Sequence, residues 1–167
     1  MLFFTTGEEK EKNFIISAEQ AFNTYSDTVW RLALTKLGAP TFADDILQEV
    51  FMRFLRKKPK FYDENHCKAW LLRVTINLSN NYLKSAWNKR KTELTEEYCT
   101  EMTVTSDVYY EVLKLPEKYR TVIHLHYYEG YSVEEIAKIC KAKQSTVKTW
   151  LFRGRKQLQE TLKGEIF

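Results

Sequence analysis

Apolar residues recur at helical spacing along most of this chain, and no strand or internal repeat is expected. Between Phe14 and Leu37 they fall at Ala18, Ala21, Phe22, Tyr25, Val29, Leu32 and Ala33. That is the single buried stripe of an amphipathic helix, and Gly38 and Pro40 end it. A second stretch, about residues 44–57, turns Ile46, Leu47, Val50, Phe51, Phe54 and Leu55 inward, and Pro59 stops it. A loop rich in charge and aromatic rings runs from Pro59 to His66. A third helix is expected over about residues 67–86, with Leu71, Val74, Leu78 and Leu83 inward. Residues 92–106, TELTEEYCTEMTVTS, lack any period and read as a linker.

Periodicity returns near Asp107. Val108, Val112 and Leu113 suggest a short helix before Leu115-Pro116. Pro116 is suited to open the next helix, with Glu117 in its first turn, and Gly130 ends it. Ser132 with Glu135 three residues on is a capping box, which predicts a short helix over 133–139 burying Ile136, Ala137 and Cys140. After a turn at Lys141–Lys143, a last helix is expected over about 145–163. A short capped helix, a tight turn and a longer basic helix make the layout of a helix-turn-helix. At roughly 100° per residue, Val147, Leu151, Gly154, Leu158 and Leu162 share one side of the last helix. Lys148, Thr149, Phe152, Arg153 and Lys156 share the other. Such a face suits the major groove, where cations donate to guanine edges or phosphates and Thr or Phe can touch a thymine methyl. A merely solvated charged face is the competing reading, and the exposed Phe152 speaks against it.

Composition narrows the class. The 167 residues include only 5 Gly and 3 Pro, which favours a helical protein, and carry a formal net charge of +4. The charge is uneven: about +5 over residues 1–91, −4 over 92–106 and +3 over 107–167. Two basic blocks on an acidic link suit a protein that grips a polyanion twice. Three widely spaced cysteines, Cys67, Cys99 and Cys140, indicate neither a disulfide framework nor a zinc site. His124 and His126 lack partners at ligand spacing, so no metal and no cofactor is expected. Neither a signal peptide nor a run of membrane-spanning length is found, which makes a cytoplasmic location the default. No phosphate loop, nucleophile elbow or metal constellation supports an enzyme.

Two stretches of the first block carry further chemistry. In Asp44-Asp45-Ile46-Leu47-Gln48-Glu49-Val50-Phe51, the side chains of Asp45, Gln48 and Glu49 share a polar face. An acidic patch on a basic module invites a basic protein partner, unless it serves only solubility. The third helix, KAWLLRVTINLSNNYLK, and the Trp87–Lys91 segment interleave basic and aromatic residues. That mixture suits unstacked bases, since rings stack and cations hold phosphates, although core aromatics with solvated lysines would look alike.

These segments together resemble the extracytoplasmic-function group of sigma factors. DDILQEVFMRFL is similar to the region-2 helix that docks on core RNA polymerase, and KAWLLRVTINLSNNYLK to the promoter-melting helix that follows. LPEKYRTVIHLHYYEGYSVEEIAKICKAKQSTVKTWLFRGRKQL is similar to region 4. The resemblance covers about residues 14–90 and 107–162 and implies an all-α protein of two small helical domains. These are a region-2 bundle (1–91) and a region-4 helix-turn-helix (107–167), joined by a flexible linker (92–106). It implies core RNA polymerase and promoter DNA as partners, and relatives are often held by an anti-sigma factor. Asp45, Gln48 and Glu49 would meet the clamp coiled coil of the largest polymerase subunit. Lys60, Phe61, Arg73, Asn77, Asn81 and Lys84 would serve the minus-ten element, with Asn77, Arg73 and the Pro59–His66 loop around a flipped base. His126, Ser145, Thr146, Lys148, Thr149, Phe152, Arg153 and Lys156 would serve the minus-thirty-five element. Two departures stand out: many relatives carry Asp followed two residues later by Arg near the end of the melting helix, where this chain has Asn81 and Leu83-Lys84, and His126 stands where relatives often carry an Arg that faces the DNA backbone. An ordinary helix-turn-helix regulator, with residues 14–91 as a sensor or dimerisation domain, is the alternative; it would bind duplex DNA without polymerase.

Overall fold

A computed structural model describes residues 14–89 and 107–165. These residues form seven α-helices: α1 (Ala18–Leu37), α2 (Pro40–Lys57), α3 (Glu64–Lys89), α4 (Asp107–Lys114), α5 (Glu117–Ile123), α6 (Val133–Cys140) and α7 (Gln144–Glu165). A single π-helical turn, His124–Tyr128, follows α5 directly. Residues 14–34 and 39–89 make one compact unit, and residues 35–38 and 107–165 the other. The expected linker, Cys99 and the segment beyond Lys89 lie outside the described residues.

In the first unit most of each predicted stripe is buried: Ala21, Tyr25, Val29, Leu32 and Ala33 on α1, Ile46, Val50, Phe51 and Phe54 on α2, and Leu71 and Val74 on α3, joined there by Leu72; Ala18, Leu47, Leu78 and Leu83 are only half-buried. Further details differ from the sequence reading. Pro40 opens α2 rather than only closing α1, because the first helical position needs no N–H donor. Phe22 and Leu55 are exposed. Phe22 sits at the rim of the stripe, its ring edge-on to Phe51 at 5.0 Å. Leu55 adjoins the buried Phe54 in sequence, one step of about 100° farther round the helix. Phe14 forms no helix; its N–H donates to the Phe61 carbonyl at 3.1 Å in an isolated antiparallel bridge. Lys58 ends α2 in the left-handed conformation, φ 45°, its N–H donating to the Phe54 carbonyl.

The second unit is built around α7. Val147 and Leu151 of α7 are buried with Val122 and Ile123 of α5, Leu125, and Ile136 and Ile139 of α6. Gly154 lets α5 approach α7 closely: a β-carbon there would stand 3.1 Å from Ile123 Cγ1 and 3.3 Å from Tyr119 Cβ. Val108 is exposed at the start of α4, and Cys140 is only half-buried at the end of α6. The helix expected to run unbroken to Gly130 instead widens after Ile123. Gly130, at φ 74°, reverses the chain so that the Tyr131 N–H returns to the Leu125 carbonyl at 3.0 Å.

Candidate nucleic-acid interface

The helix-turn-helix forms from local rules. Ser132 Oγ accepts from the Glu135 N–H at 3.2 Å, and Glu135 Oε2 accepts from the Ser132 N–H at 2.9 Å, closing the capping box. Lys141 ends α6 in the left-handed region, φ 52°, and its neighbour Ala142 donates to the Ala137 carbonyl at 2.9 Å. This tight turn launches α7 with Val147 and Leu151 inward. The opposite face then follows from helical periodicity. Ser145, Lys148, Thr149, Phe152, Arg153 and Lys156 are all exposed, and Thr146 is half-buried. Phe152 stands 63% exposed among three cations. Thr149 Oγ1 donates to the Ser145 carbonyl at 3.0 Å, which fixes its rotamer and leaves the hydroxyl oxygen as an acceptor.

His126 sits on the π-helical turn and is half-buried. Its Nδ1 lies 2.8 Å from the Tyr131 carbonyl oxygen. A carbonyl can only accept, so Nδ1 carries the hydrogen. In the neutral ring Nε2 is then a bare acceptor, and only the imidazolium offers an N–H there.

In the first unit, Asp45 and Gln48 are exposed on α2. Glu49 is half-buried and already engaged: Arg56 Nη2 donates to its Oε1 at 2.7 Å, and Arg53 lies 3.9 Å away. Asp44 accepts from Trp30 Nε1 at 2.7 Å. Sequence reasoning missed Met52 and Leu55. Both are exposed, four and seven residues beyond Gln48, so they extend the acidic stripe with apolar surface. Their signal was present in the helical spacing, but both are residue types ordinarily assigned to a core.

Arg73, Asn77, Asn81 and Lys84 fall within about 80° of one another around α3, at about 100° per residue. Asn81 and Lys84 are exposed, Arg73 and Asn77 half-buried. Lys60 is exposed, but Phe61 contradicts the expectation of a DNA contact: it is 1% exposed. Its ring lies 6.0 Å from Phe54, 6.0 Å from Trp70 and 5.5 Å from His66, and its carbonyl pairs with Phe14. Phe61 is therefore a core anchor of the loop. Its neighbour Tyr62 is the exposed ring, stacked on His66 at 4.9 Å, and sequence reasoning passed over it. Neither of the described thiols, Cys67 and Cys140, is among the residues of this surface. Burial pushes Cys67 up to about 12, with the Glu64 carboxylate adding to it, and burial likewise pushes Cys140 up to about 11.

Comparison with known families decides what these two surfaces belong to. The Sigma-70 region 2 model matches residues 21–89, and the Sigma-70 region 4 model matches residues 107–158. The chain belongs to the sigma-70 family. The ECF RNA polymerase sigma factor SigW of Bacillus subtilis is 29% identical, over 83% of this chain and 85% of the relative. The ECF RNA polymerase sigma factor SigE of Mycolicibacterium smegmatis is 28% identical, over 96% of this chain and 66% of the relative. The sigma factor RpoE of Bartonella quintana, solved in complex with the anti-sigma factor NepR, shares the fold: TM-score 0.69 at 22% identity, covering 87% of this chain and 96% of that one. This protein is thus an alternative sigma factor of the extracytoplasmic-function group, serving transcription initiation. Among its described residues no helix is long and apolar enough to cross a membrane.

Proposed function

We propose that this sigma factor divides promoter recognition between residues 1–91 and residues 107–167, with 92–106 as the link, and that it acts in the cytoplasm on core RNA polymerase. Asp45, Gln48 and Glu49, extended by Met52 and Leu55, dock on a basic and partly apolar polymerase surface. Arg73, Asn77, Asn81 and Lys84 of α3, with Lys60, serve the minus-ten element. Asn77 offers both donor and acceptor to the edge of a flipped base. Tyr62 takes the stacking role that Phe61 cannot fill. Ser145, Thr146, Lys148, Thr149, Phe152, Arg153 and Lys156 of α7 read the minus-thirty-five element, and His126 meets the backbone beside it. The protein contributes no catalytic group; phosphodiester chemistry belongs to the polymerase. Relatives' anti-sigma partners make such an inhibitor the natural candidate for control. Two weak modules held by one polymerase gain by effective concentration, so DNA binding by the free chain is weak.

The observation that carries this reading is the solvent face of α7: three cations, Thr149 and an exposed Phe152 on a helix whose opposite side is buried. Run-off transcription from randomised promoters, with purified core polymerase, tests it. Transcripts that require this protein and start downstream of a shared two-part motif are expected. Their absence, together with a shift of duplex DNA by the protein alone, would instead establish the free-standing regulator.

A further inference from the structure

The loop between α2 and α3 is held from both sides. On one side the Phe14 N–H donates to the Phe61 carbonyl at 3.1 Å in the antiparallel bridge. Three residues on, a capping box opens α1: the Gln20 N–H donates to Ser17 Oγ at 3.1 Å, and the Ser17 N–H to Gln20 Oε1 at 3.0 Å. The short segment 14–17 is thus tied at both of its ends. On the other side, Asp63 Oδ1 accepts from the His66 N–H at 2.8 Å and caps the first turn of α3. The His66 ring turns back to the loop, where its Nδ1 accepts the Tyr62 N–H at 3.1 Å. A backbone N–H can only donate, so the neutral ring carries its hydrogen on Nε2. The same imidazole stacks on the Tyr62 ring, centroids 4.9 Å apart and planes 23° apart. One side chain therefore fixes both the backbone and the ring of Tyr62, which is 42% exposed. Phe61 already has Phe54 and Trp70 to anchor it, so these contacts order a surface residue rather than the core. His66 also shares a face of α3 with the expected minus-ten residues: at about 100° per residue it falls about 20° from Arg73 and from Asn77.

We propose that His66 and Phe14 are positioning residues for base recognition, which hold the 59–66 loop in the one form that presents Tyr62 to a base leaving the stack. The role rests on the proposed reading of Tyr62 as the stacking ring of the minus-ten surface, and it names what orients that ring. A base that stacks on a mobile tyrosine must first order it. Fixing the backbone of one loop residue weakens binding by about 5- to 30-fold, and a residue ordered in advance avoids that loss. His66 does this directly, through the hydrogen bond and the ring stack. Phe14 does it at one remove, through the Phe61 carbonyl next to Tyr62 in the chain. Because His66 lies in line with Arg73 and Asn77, it also sets Tyr62 at the N-terminal end of the face of α3 along which an unpaired strand would run. Stacking tolerates any base, whereas Asn77 can read a base edge, so the ring contributes affinity and the helix face contributes choice.

The test uses holoenzyme, assembled from the full chain and core polymerase, on a promoter fragment recovered from the randomised library. The rate of open-complex formation is measured for single and double variants. His66→Ala should slow opening by about 5- to 30-fold. Phe14→Pro removes the bridging N–H and should act in the same direction, less strongly. Each loss should vanish in a Tyr62→Ala background, since both residues act through that ring. His66→Asn keeps a side-chain acceptor near the place of Nδ1 and should recover part of the loss. Core-polymerase binding and preference at the upstream element should stay as in the wild type, and thermal melting of each variant reports any loss of fold. Losses that add to that of Tyr62→Ala would overturn the proposal. So would a slowing that merely tracks lost thermal stability, which would make the two contacts a matter of folding. Normal opening by His66→Ala where Tyr62→Ala is impaired would overturn it too, and would leave the stacking role of Tyr62 standing. If Tyr62→Ala itself opens the promoter normally, the reading of the loop as a base-contacting surface fails, and the positioning role with it.

Discussion

The face of α7 and the loop before α3 were both expected to touch DNA, and they differ in how their residues are held. On α7 every expected residue except the half-buried Thr146 is exposed, because one helix with a buried Val147–Leu151 side must turn its other side outward. In the loop, adjacent residues have opposite fates. Phe61 is packed against Phe54 and Trp70, while Tyr62 is exposed on His66. A regular helix converts spacing into exposure directly. A loop does so only through the long-range contacts that pin it, here the bridge between Phe14 and Phe61.

The sharpest way to break this comparison is to remove one aromatic from each surface. Phe61→Ala should destabilise the first unit by about 3–5 kcal/mol, the usual cost of emptying a packed phenylalanine site. Phe152→Ala should change stability by no more than about 0.5 kcal/mol and instead impair recognition of the upstream element. Denaturant unfolding of both variants, with transcription assays, checks the pair; equal stability losses would show that Phe152 is no surface residue. Next in size is the docking stripe. Lysine at both Asp45 and Glu49 should weaken core-polymerase binding by about 2–5 kcal/mol. It should spare the fold, since the Glu49–Arg56 and Glu49–Arg53 pairs lie near the surface and such pairs contribute only about 0–1 kcal/mol. A pull-down with core polymerase reads the outcome, and retained binding would remove the stripe from the interface.

Smaller effects sharpen the description of the helix-turn-helix. Arg153→Ala should relax preference by about 1–3 kcal/mol at a single base pair of the upstream element, seen by selection from a randomised site. A uniform loss at all positions would make Arg153 a phosphate contact rather than a base reader. Ser132→Ala removes the acceptor of the capping box and should cost about 1 kcal/mol in thermal or denaturant unfolding. No change would mean that α6 is held by packing alone.

Much of the architecture was legible before any coordinates. The stripes of α1, α2 and α3, the capping box at Ser132 and the inward side of α7 all follow from periodicity and capping chemistry, which act within a few residues. Leu55 and Phe22 were misplaced because hydrophobic character alone does not say which edge of a stripe a partner helix covers. The hydrogen bond from Arg155 Nη1 to the Tyr127 hydroxyl, 3.2 Å long, carried no signal in the sequence, its residues being 28 apart on different elements. His126 could be seen as a replacement for a cation, but its fixed tautomer could not.

The sequence by itself determined the helices, their caps, the buried stripe of each and the exposed chemistry of α7, because those depend on repeats of three to four residues along one element. Tertiary structure alone decided that Phe61 is core while Tyr62 is surface. It also decided that Glu49 is already paired, that the helix after Ile123 widens into a π turn, and that a carbonyl from Tyr131 claims the hydrogen of His126. Each of these is set by atoms brought together across a turn, a loop or a helix pair, where spacing along the chain no longer measures distance in space.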